Sequence, residues 1–399
     1  MTTTAPPTLH PVAVKLAAIQ TELGVFFKER RTCIEAVGLT LLIAEHCFML
    51  GEPGTGKSFL IRSFFGRFPD AAYFEQLLSK TMPPEAVLGP YDIPELRDHG
   101  HLHRKYNGFL PTAKLAMLDE IGKMSPTLGH NLLAVLNERL LHQVNGGRSV
   151  VQLPLSTVVG GSNELPTSES DDAAAMWDRM LVRVVVNSIQ ETGNFIAVLT
   201  GPKAPAAGTE IPWAEMQDVI DNVVPAVTLP NDVMETVAKL RETLKAAEIT
   251  PSDRRWKQSM KLLQASAFMA GRSDATIDDI QVLRHALWET PSQIALVERA
   301  TLSVSNPIAE KALSVLERAE EIAQEVRDSK ALALDKRAAI GTELHGRLQS
   351  VNADLGRIRQ EALSAGASVV KVDEVASRVS SIKSSILEDL MGLDLDTLR

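Results

Sequence analysis

The segment Gly51-Glu52-Pro53-Gly54-Thr55-Gly56-Lys57-Ser58 constrains this chain more than any other. Two glycines at this spacing, followed by Lys and a hydroxyl residue, form the pattern of a phosphate-binding loop set between a strand and a helix. Glycine lets the backbone wrap close to an anion with its N–H groups turned inward. Lys57 is placed to bring positive charge to the β and γ phosphates, and Ser58 to offer its hydroxyl to Mg²⁺. An apolar stretch ending at Leu50 precedes the loop. Phe59 to Arg67 reads as a helix whose N-terminal dipole faces the anion.

Two further elements fit the same site. Leu115-Ala116-Met117-Leu118 leads straight into Asp119-Glu120, an apolar strand ending in two carboxylates. Beside a phosphate loop, Asp119 is expected to hold Mg²⁺ and Glu120 to orient and activate the attacking water. A third apolar run, Ser156 to Gly161, is followed by Ser162-Asn163-Glu164-Leu165-Pro166. Asn163 at a strand end is positioned for the γ-phosphate or the water; a plain structural turn is the alternative. Short apolar runs separated by amphipathic helices predict a parallel sheet with helices on both faces.

Composition excludes several function classes. With 45% hydrophobic and 23% charged residues, the chain is globular rather than disordered. Its 41 basic residues are outnumbered by 50 acidic ones, which argues against a nucleic-acid binder acting through overall charge. Two cysteines, Cys33 and Cys47, cannot build a disulfide framework and point to a reducing compartment. The most apolar early stretch, Leu41 to Leu50, is interrupted by Glu45 and His46, and the first ten residues carry no Lys or Arg. Neither a membrane span nor a signal peptide is read, and a soluble cytoplasmic protein is expected. His99, His101 and His103 alternate, as metal ligands on a strand face would, but a solvated loop is the favoured reading.

All Phe, Trp and Tyr residues lie at or before Trp288. The tail therefore lacks the residues that supply much of an ordinary core. Its apolar residues recur at steps of three and four, from Ile340 to Ala362 and from Val372 to Leu390, with Ala365-Gly366-Ala367-Ser368 as a turn between. An earlier helix is expected from about Pro307 to Asp328. Such stripes predict a helical hairpin or coiled-coil-like region, acting as an arm or packed as a bundle on the body.

With these elements in order, the chain resembles the AAA+ ATPases, and within them the MoxR family, closest to its RavA (regulatory ATPase variant) branch. In that family's terms the loop is the Walker A motif and Asp119-Glu120 the Walker B pair. Further segments carry the likeness: Asn131 to Arg139, Ser162 to Pro166, Asp178-Arg179-Met180-Leu181-Val182-Arg183, Ser252-Asp253-Arg254-Arg255-Trp256 and Gly89-Pro90-Tyr91-Asp92. The resemblance implies an α/β AAA+ nucleotide-binding domain over 1–200, a linker over 201–227, a small all-α lid over 228–304 and the helical tail over 305–399. It implies that Asn163 is the first sensor and Arg254 the second, with Arg255 as competitor. Arg179 matches the trans-acting arginine finger, with Arg183 second. Met82 to Leu96 fits the family's insertion, and Val144 to Ser149 fits the turn of its hairpin before the first sensor. The tail departs from the RavA pattern after about residue 300.

The function implied is Mg²⁺-dependent ATP hydrolysis by a ring-shaped remodelling ATPase. The ring is expected to be a homo-hexamer acting in a chaperone-like way on a protein client, with a von Willebrand A domain partner. A nucleic-acid motor and a nucleotide-regulated assembly scaffold are the alternatives.

Overall fold

The computed structural model describes residues 9–100, 102–144, 148–165, 171–329, 334–364 and 369–390. The chain divides into two compact units, Met1–Val297 and Glu298–Arg399.

The first unit is built on a five-stranded parallel sheet. Its strands are β1 (His46–Leu50), β2 (Tyr73–Leu77), β3 (Leu115–Asp119), β6 (Thr157–Ser162) and β7 (Met180–Val185), in the spatial order β2-β3-β6-β1-β7. Two further strands, β4 (Leu140–Val144) and β5 (Arg148–Gln152), pair antiparallel in a separate ribbon. The tip of this ribbon, 145–147, where the hairpin turn is expected, lies outside the described residues.

The central strands are apolar on both sides. Phe48, Met49, Met117, Leu118, Val158 and Val159 are all fully buried. A sheet buried on both faces requires helices on both faces, and continuous rather than alternating hydrophobicity is its sequence mark. Because all five strands run the same way, their C-terminal ends share one edge. The phosphate loop after Leu50, Asp119 at the end of β3 and Asn163 after β6 therefore converge there.

Beyond Thr228 this unit is helical. Asn231–Ala246 and Asp253–Met269 are α-helices, followed by a 3-10 stretch at Ile277–His285. Arg272 is held there by Asp279, with two guanidinium–carboxylate hydrogen bonds of 2.7 Å. Around Pro90, the segment expected as an insertion forms the short helices Glu85–Leu88 and Ile93–His99. His99 ends the second of these, with Glu95 Oε2 3.1 Å from its Nδ1, so it does not lie on a strand. His101 lies outside the described residues, among which no group of three His, Cys, Asp or Glu could hold a metal. Among those residues too, no helix is long and apolar enough to cross a membrane.

After the helix Ile294–Ser305, which runs into it, the second unit is built among its described residues on the long helices Pro307–Ser329, Leu334–Ser364 and Val370–Ser385. Their stripes meet in one aromatic-free core that includes Val315, Ile322, Leu344, Leu348, Val351, Val375, Val379 and Ile382. Ion pairs fix the register. Lys311–Glu361 (2.5 Å), Arg318–Asp354 (2.5 Å) and Glu325–Arg347 (2.7 Å) climb one helix in steps of seven while descending the other. This is an antiparallel heptad arrangement. The two sequence stripes thus close on each other and on the helix Pro307–Ser329. The expected turn at 365–368 is outside the described residues.

Candidate active site

The loop geometry follows from its glycines. Gly54 and Gly56 have φ of 81° and 83°, in the left-handed region that glycine adopts without cost. Gly56 caps the helix Lys57–Phe65, so the helix N-terminus opens directly onto the loop. Lys57 is buried, and its Nζ donates to Gly51 O (2.6 Å) and Glu52 O (3.0 Å). Burial holds its pKa below the usual lysine value, while Asp119, Glu120 and Glu52 favour the charged form.

Ser58 Oγ donates to Asp119 Oδ2 at 2.5 Å, joining the loop to the end of β3. A neutral hydroxyl beside a carboxylate is a donor set suited to a hard divalent cation that retains water. The other oxygen, Asp119 Oδ1, accepts from the Glu120 backbone N at 3.0 Å. Glu120 itself sits at φ 54°, in the left-handed region. A non-glycine residue held there costs of order 1–3 kcal/mol and recurs at functional sites. Its Oε2 is buried without an aligned hydrogen bond, although Lys123 Nζ lies 3.1 Å away.

Just past the end of the neighbouring strand β6, Asn163 Oδ1 is buried and finds no hydrogen-bond partner among the described residues. A buried acceptor left unpaired is costly and marks a place where a ligand or water is expected. Gly161 is the supporting residue that sequence reasoning did not assign. A Cβ there would lie 2.6 Å from Asp119 Oδ1 and 2.8 Å from Met117 Cε. The Gly160-Gly161 pair inside an apolar strand was the available signal, since glycine in a strand marks close approach.

Arg179 and Arg254 lie elsewhere. Arg179 immediately precedes β7, which pairs with β1 from His46↔Met180 to Leu50↔Val185. The loop follows Leu50, so a five-residue strand, roughly 15 Å, separates it from Arg179. Ser252 caps the helix Asp253–Met269 by accepting from Arg255 N at 3.2 Å. The cap sets the helix phase: Arg254 turns toward Asp178 (3.4 Å) and Asn137, whereas Arg255 turns inward. Arg179 and Arg254 line a cleft of about 920 Å³ together with Lys114, Lys261 and Glu45. Desolvation and the nearby Arg254 hold the Arg179 pKa below its usual value, and its buried Nε has no hydrogen-bond partner among the described residues.

The competing arginines are locked. Arg183 is 1% exposed, donates to the carbonyls of Met180, Trp177 and Trp288, and stacks 3.7 Å from the Trp177 ring centroid. Desolvation pushes its pKa down to about 9. Arg255 is equally buried and donates to Met180 O and Leu181 O, with a pKa pushed down by burial to about 10. Both guanidiniums lie inside the subunit, each 1% exposed, although Arg255 Nε finds no hydrogen-bond partner among the described residues.

Comparison with known proteins agrees with this geometry. Residues 14–214 match the family described as the MoxR domain in MoxR-vWA-beta-propeller ternary systems, and residues 232–301 match the AAA lid domain. Two uncharacterized proteins of Methanocaldococcus jannaschii are each 31% identical. One aligns over 93% of this chain and 97% of its own length, the other over 94% and 100%. A structural protein of Acidianus two-tailed virus is 27% identical over 44% of this chain and 28% of its own length. The crystal structure of a "putative ATPase" from Cytophaga hutchinsonii superposes with a TM-score of 0.55 at 14% identity, covering 73% of this chain and 93% of that one. That likeness concerns the fold. The family match spans half of the chain and coincides with the sheet and its phosphate loop, and the chain belongs to the MoxR family of AAA+ ATPases.

Proposed function

We propose that this chain hydrolyses ATP with Mg²⁺ as part of a homo-hexameric ring that remodels a protein client. The observation that carries the reading is the 2.5 Å hydrogen bond between Ser58 and Asp119, which joins the phosphate loop to the acidic strand end. Gly51 to Ser58 would cradle the phosphates through backbone N–H groups, with Lys57 adding charge at their β and γ positions. Ser58 and Asp119 would hold Mg²⁺, which when bound screens the charge of the phosphate oxygens. Glu120 would take the proton of the attacking water, and Asn163 would orient that water or the γ-phosphate.

Arg179 and Arg254 sit at the other end of the strands from their own loop. We therefore assign both to the nucleotide of a neighbouring subunit, where guanidinium charge stabilises phosphoryl transfer. This places the second sensor in trans beside the finger. Within the family, the sequence segments around Arg179 and Arg254 favour the RavA branch. The family's description favours partners bearing a von Willebrand A domain. Two buried free cysteines fit a cytoplasmic setting. The domain limits we favour are 1–200, 201–227, 228–304 and 305–399.

The test is nucleotide binding beside turnover. Lys57→Ala should abolish ATP binding, and Glu120→Gln should bind ATP and hardly hydrolyse it. Equal affinity of Lys57→Ala and the unmodified protein would sink the assignment.

A further inference from the structure

Glu29 and Arg30 lie in the turn between the helices Pro11–Phe26 and Arg31–Leu42. Glu29 is held at φ 57°, a conformation that a non-glycine residue keeps only where its surroundings over-determine it. Here the constraint comes from the segment after β7. The Glu29 carboxylate accepts from Gln190 N (2.8 Å), Glu191 N (3.0 Å) and Asn194 Nδ2 (3.0 Å). The turn fixed in this way presents the next side chain, Arg30, to the phosphate loop. Its Nη1 donates to Glu29 O at 3.0 Å and its Nη2 to Thr55 O at 3.4 Å.

Two properties of Arg30 go beyond packing. It is 7% exposed, yet it forms no ion pair among the described residues. A buried guanidinium is ordinarily paired with a carboxylate, so this charge is left to an anion, and the loop it touches is the phosphate loop. Its bond also acts on a single peptide plane. The carbonyl of Thr55 and the N–H of Gly56 share a trans peptide and point in opposite directions. Gly56, at φ 83°, opposes little resistance to turning that plane over, because glycine adopts either sign of φ. A donor fixed on the Thr55 carbonyl therefore fixes the direction of the Gly56 N–H.

We propose that Arg30 is a positioning residue of the nucleotide site: by holding Thr55 O it keeps the Gly56 N–H turned toward the phosphates, and its buried charge adds to their attraction. The proposal rests on the reading of Gly51 to Ser58 as the ATP loop. The β-phosphate is common to ATP and ADP, and the N–H groups of such a loop hold it before and after hydrolysis alike. Loss of Arg30 therefore weakens the ground state and the transition state together, which raises KM and spares kcat. A group that acts on the transition state alone gives the opposite split.

The experiment compares Arg30→Met and Arg30→Lys with the unmodified full chain, using ADP and ATP as probes. Methionine replaces the apolar stem and has no donor. Arg30→Met should bind ADP about tenfold more weakly, raise KM for ATP by a similar factor and keep kcat within about threefold. Lysine can still donate to one carbonyl, so Arg30→Lys should fall between the two. ADP affinity of Arg30→Met within about twofold of the unmodified chain's, or a loss confined to kcat, would overturn the proposal, as would a lysine chain no better than the methionine one. Thermal unfolding reads the structural part separately: a lowered midpoint with unaltered ADP affinity is the mark of packing alone and also overturns it. If the methionine chain does not fold, Arg30→Gln, which is shorter and uncharged, takes its place in the same comparison. Lys57→Ala keeps the two readings apart. If it binds ADP as the unmodified chain does, the loop is not the nucleotide site. If it loses ADP while Arg30→Met retains it, only the role of Arg30 falls.

Discussion

Asp178 Oδ2 lies 3.4 Å from Arg254 Nη1 and 3.9 Å from Nη1 of Arg179, the next residue in the chain. One carboxylate therefore stands between two guanidiniums that come from distant parts of the sequence. Like charges repel at such distances, and a shared counter-ion is what lets them occupy one cleft. Asp178→Asn should keep ATP affinity within about twofold while lowering turnover by roughly tenfold or more, since the role proposed for the arginines lies in the transition state rather than in nucleotide binding. Mixing Asp178→Asn with Glu120→Gln subunits should restore part of the activity, because one contributes an intact loop and the other an intact arginine pair. Absence of recovery, with subunit exchange verified, would place Asp178 outside the arginine machinery.

Gly161 makes a separate prediction about Asp119. A methyl group at this position would meet the carboxylate oxygen at 2.6 Å, closer than a Cβ tolerates, and the other close neighbour is Met117. Methionine can yield, but the carboxylate is tied to Ser58 and to the Glu120 backbone. Gly161→Ala should therefore displace Asp119, raise the Mg²⁺ concentration needed for half-maximal hydrolysis and cost about 1–3 kcal/mol in stability. Mg²⁺ titration of turnover and thermal unfolding check both parts. An unaltered Mg²⁺ requirement would mean that the carboxylate tolerates the displacement.

The phosphate loop and the acidic strand end were legible because each is a contiguous string whose chemistry is local. The arginines were legible only as candidates. Whether Arg254 or Arg255 faces outward depends on the phase of one helix, set by the Ser252 cap, and a helix turns about 100° per residue. Whether Arg179 or Arg183 is available depends on Trp177, Trp288 and Glu289, which contact Arg183 from parts of the chain more than a hundred residues apart. The link from Glu29 to Gln190 spans contacts far apart in sequence, and no local pattern announces it. In the tail, the heptad stripes were readable, but closure of the helix Pro307–Ser329 onto both of them is a tertiary choice.

Buried imidazoles give the first unit a pH dependence. His285 is almost fully enclosed, and burial pushes its pKa down to about 3, with Arg284 adding repulsion. His46 is also depressed by burial, and its Nδ1 accepts from Val158 N at 3.0 Å. In the unfolded chain each histidine titrates near the ordinary value of about 6.5. Between that value and about 3, the unfolded state binds a proton that folded His285 does not, so stability rises with pH across this window and falls on acidification. The slope for one such histidine is about 1.4 kcal/mol per pH unit. His285→Gln should flatten the dependence of unfolding free energy on pH between 5 and 6.5, read from denaturant titrations. A slope unchanged by that substitution would show that His285 is protonated in the folded protein.

The tail prediction follows from where its apolar surface goes. Leu344, Leu348, Val375 and Val379 are each buried within the three-helix core of the second unit, and the heptad ion pairs lie among those same helices. Antiparallel helices that satisfy their own stripes need no other surface to fold against. Val379→Asp places a charge where no partner exists in that core, and should cost the second unit more than about 3 kcal/mol. Calorimetry of the full chain should then show one transition lowered and the transition of the first unit retained, with ATP turnover kept. A chain ending at Asn306 should likewise stay folded and hydrolyse ATP, while losing a protein partner that full-length chain retains. If Val379→Asp or the shortened chain loses turnover together with the first unit's transition, the second unit is part of the motor's structural core, and its role as a separable partner-binding element falls.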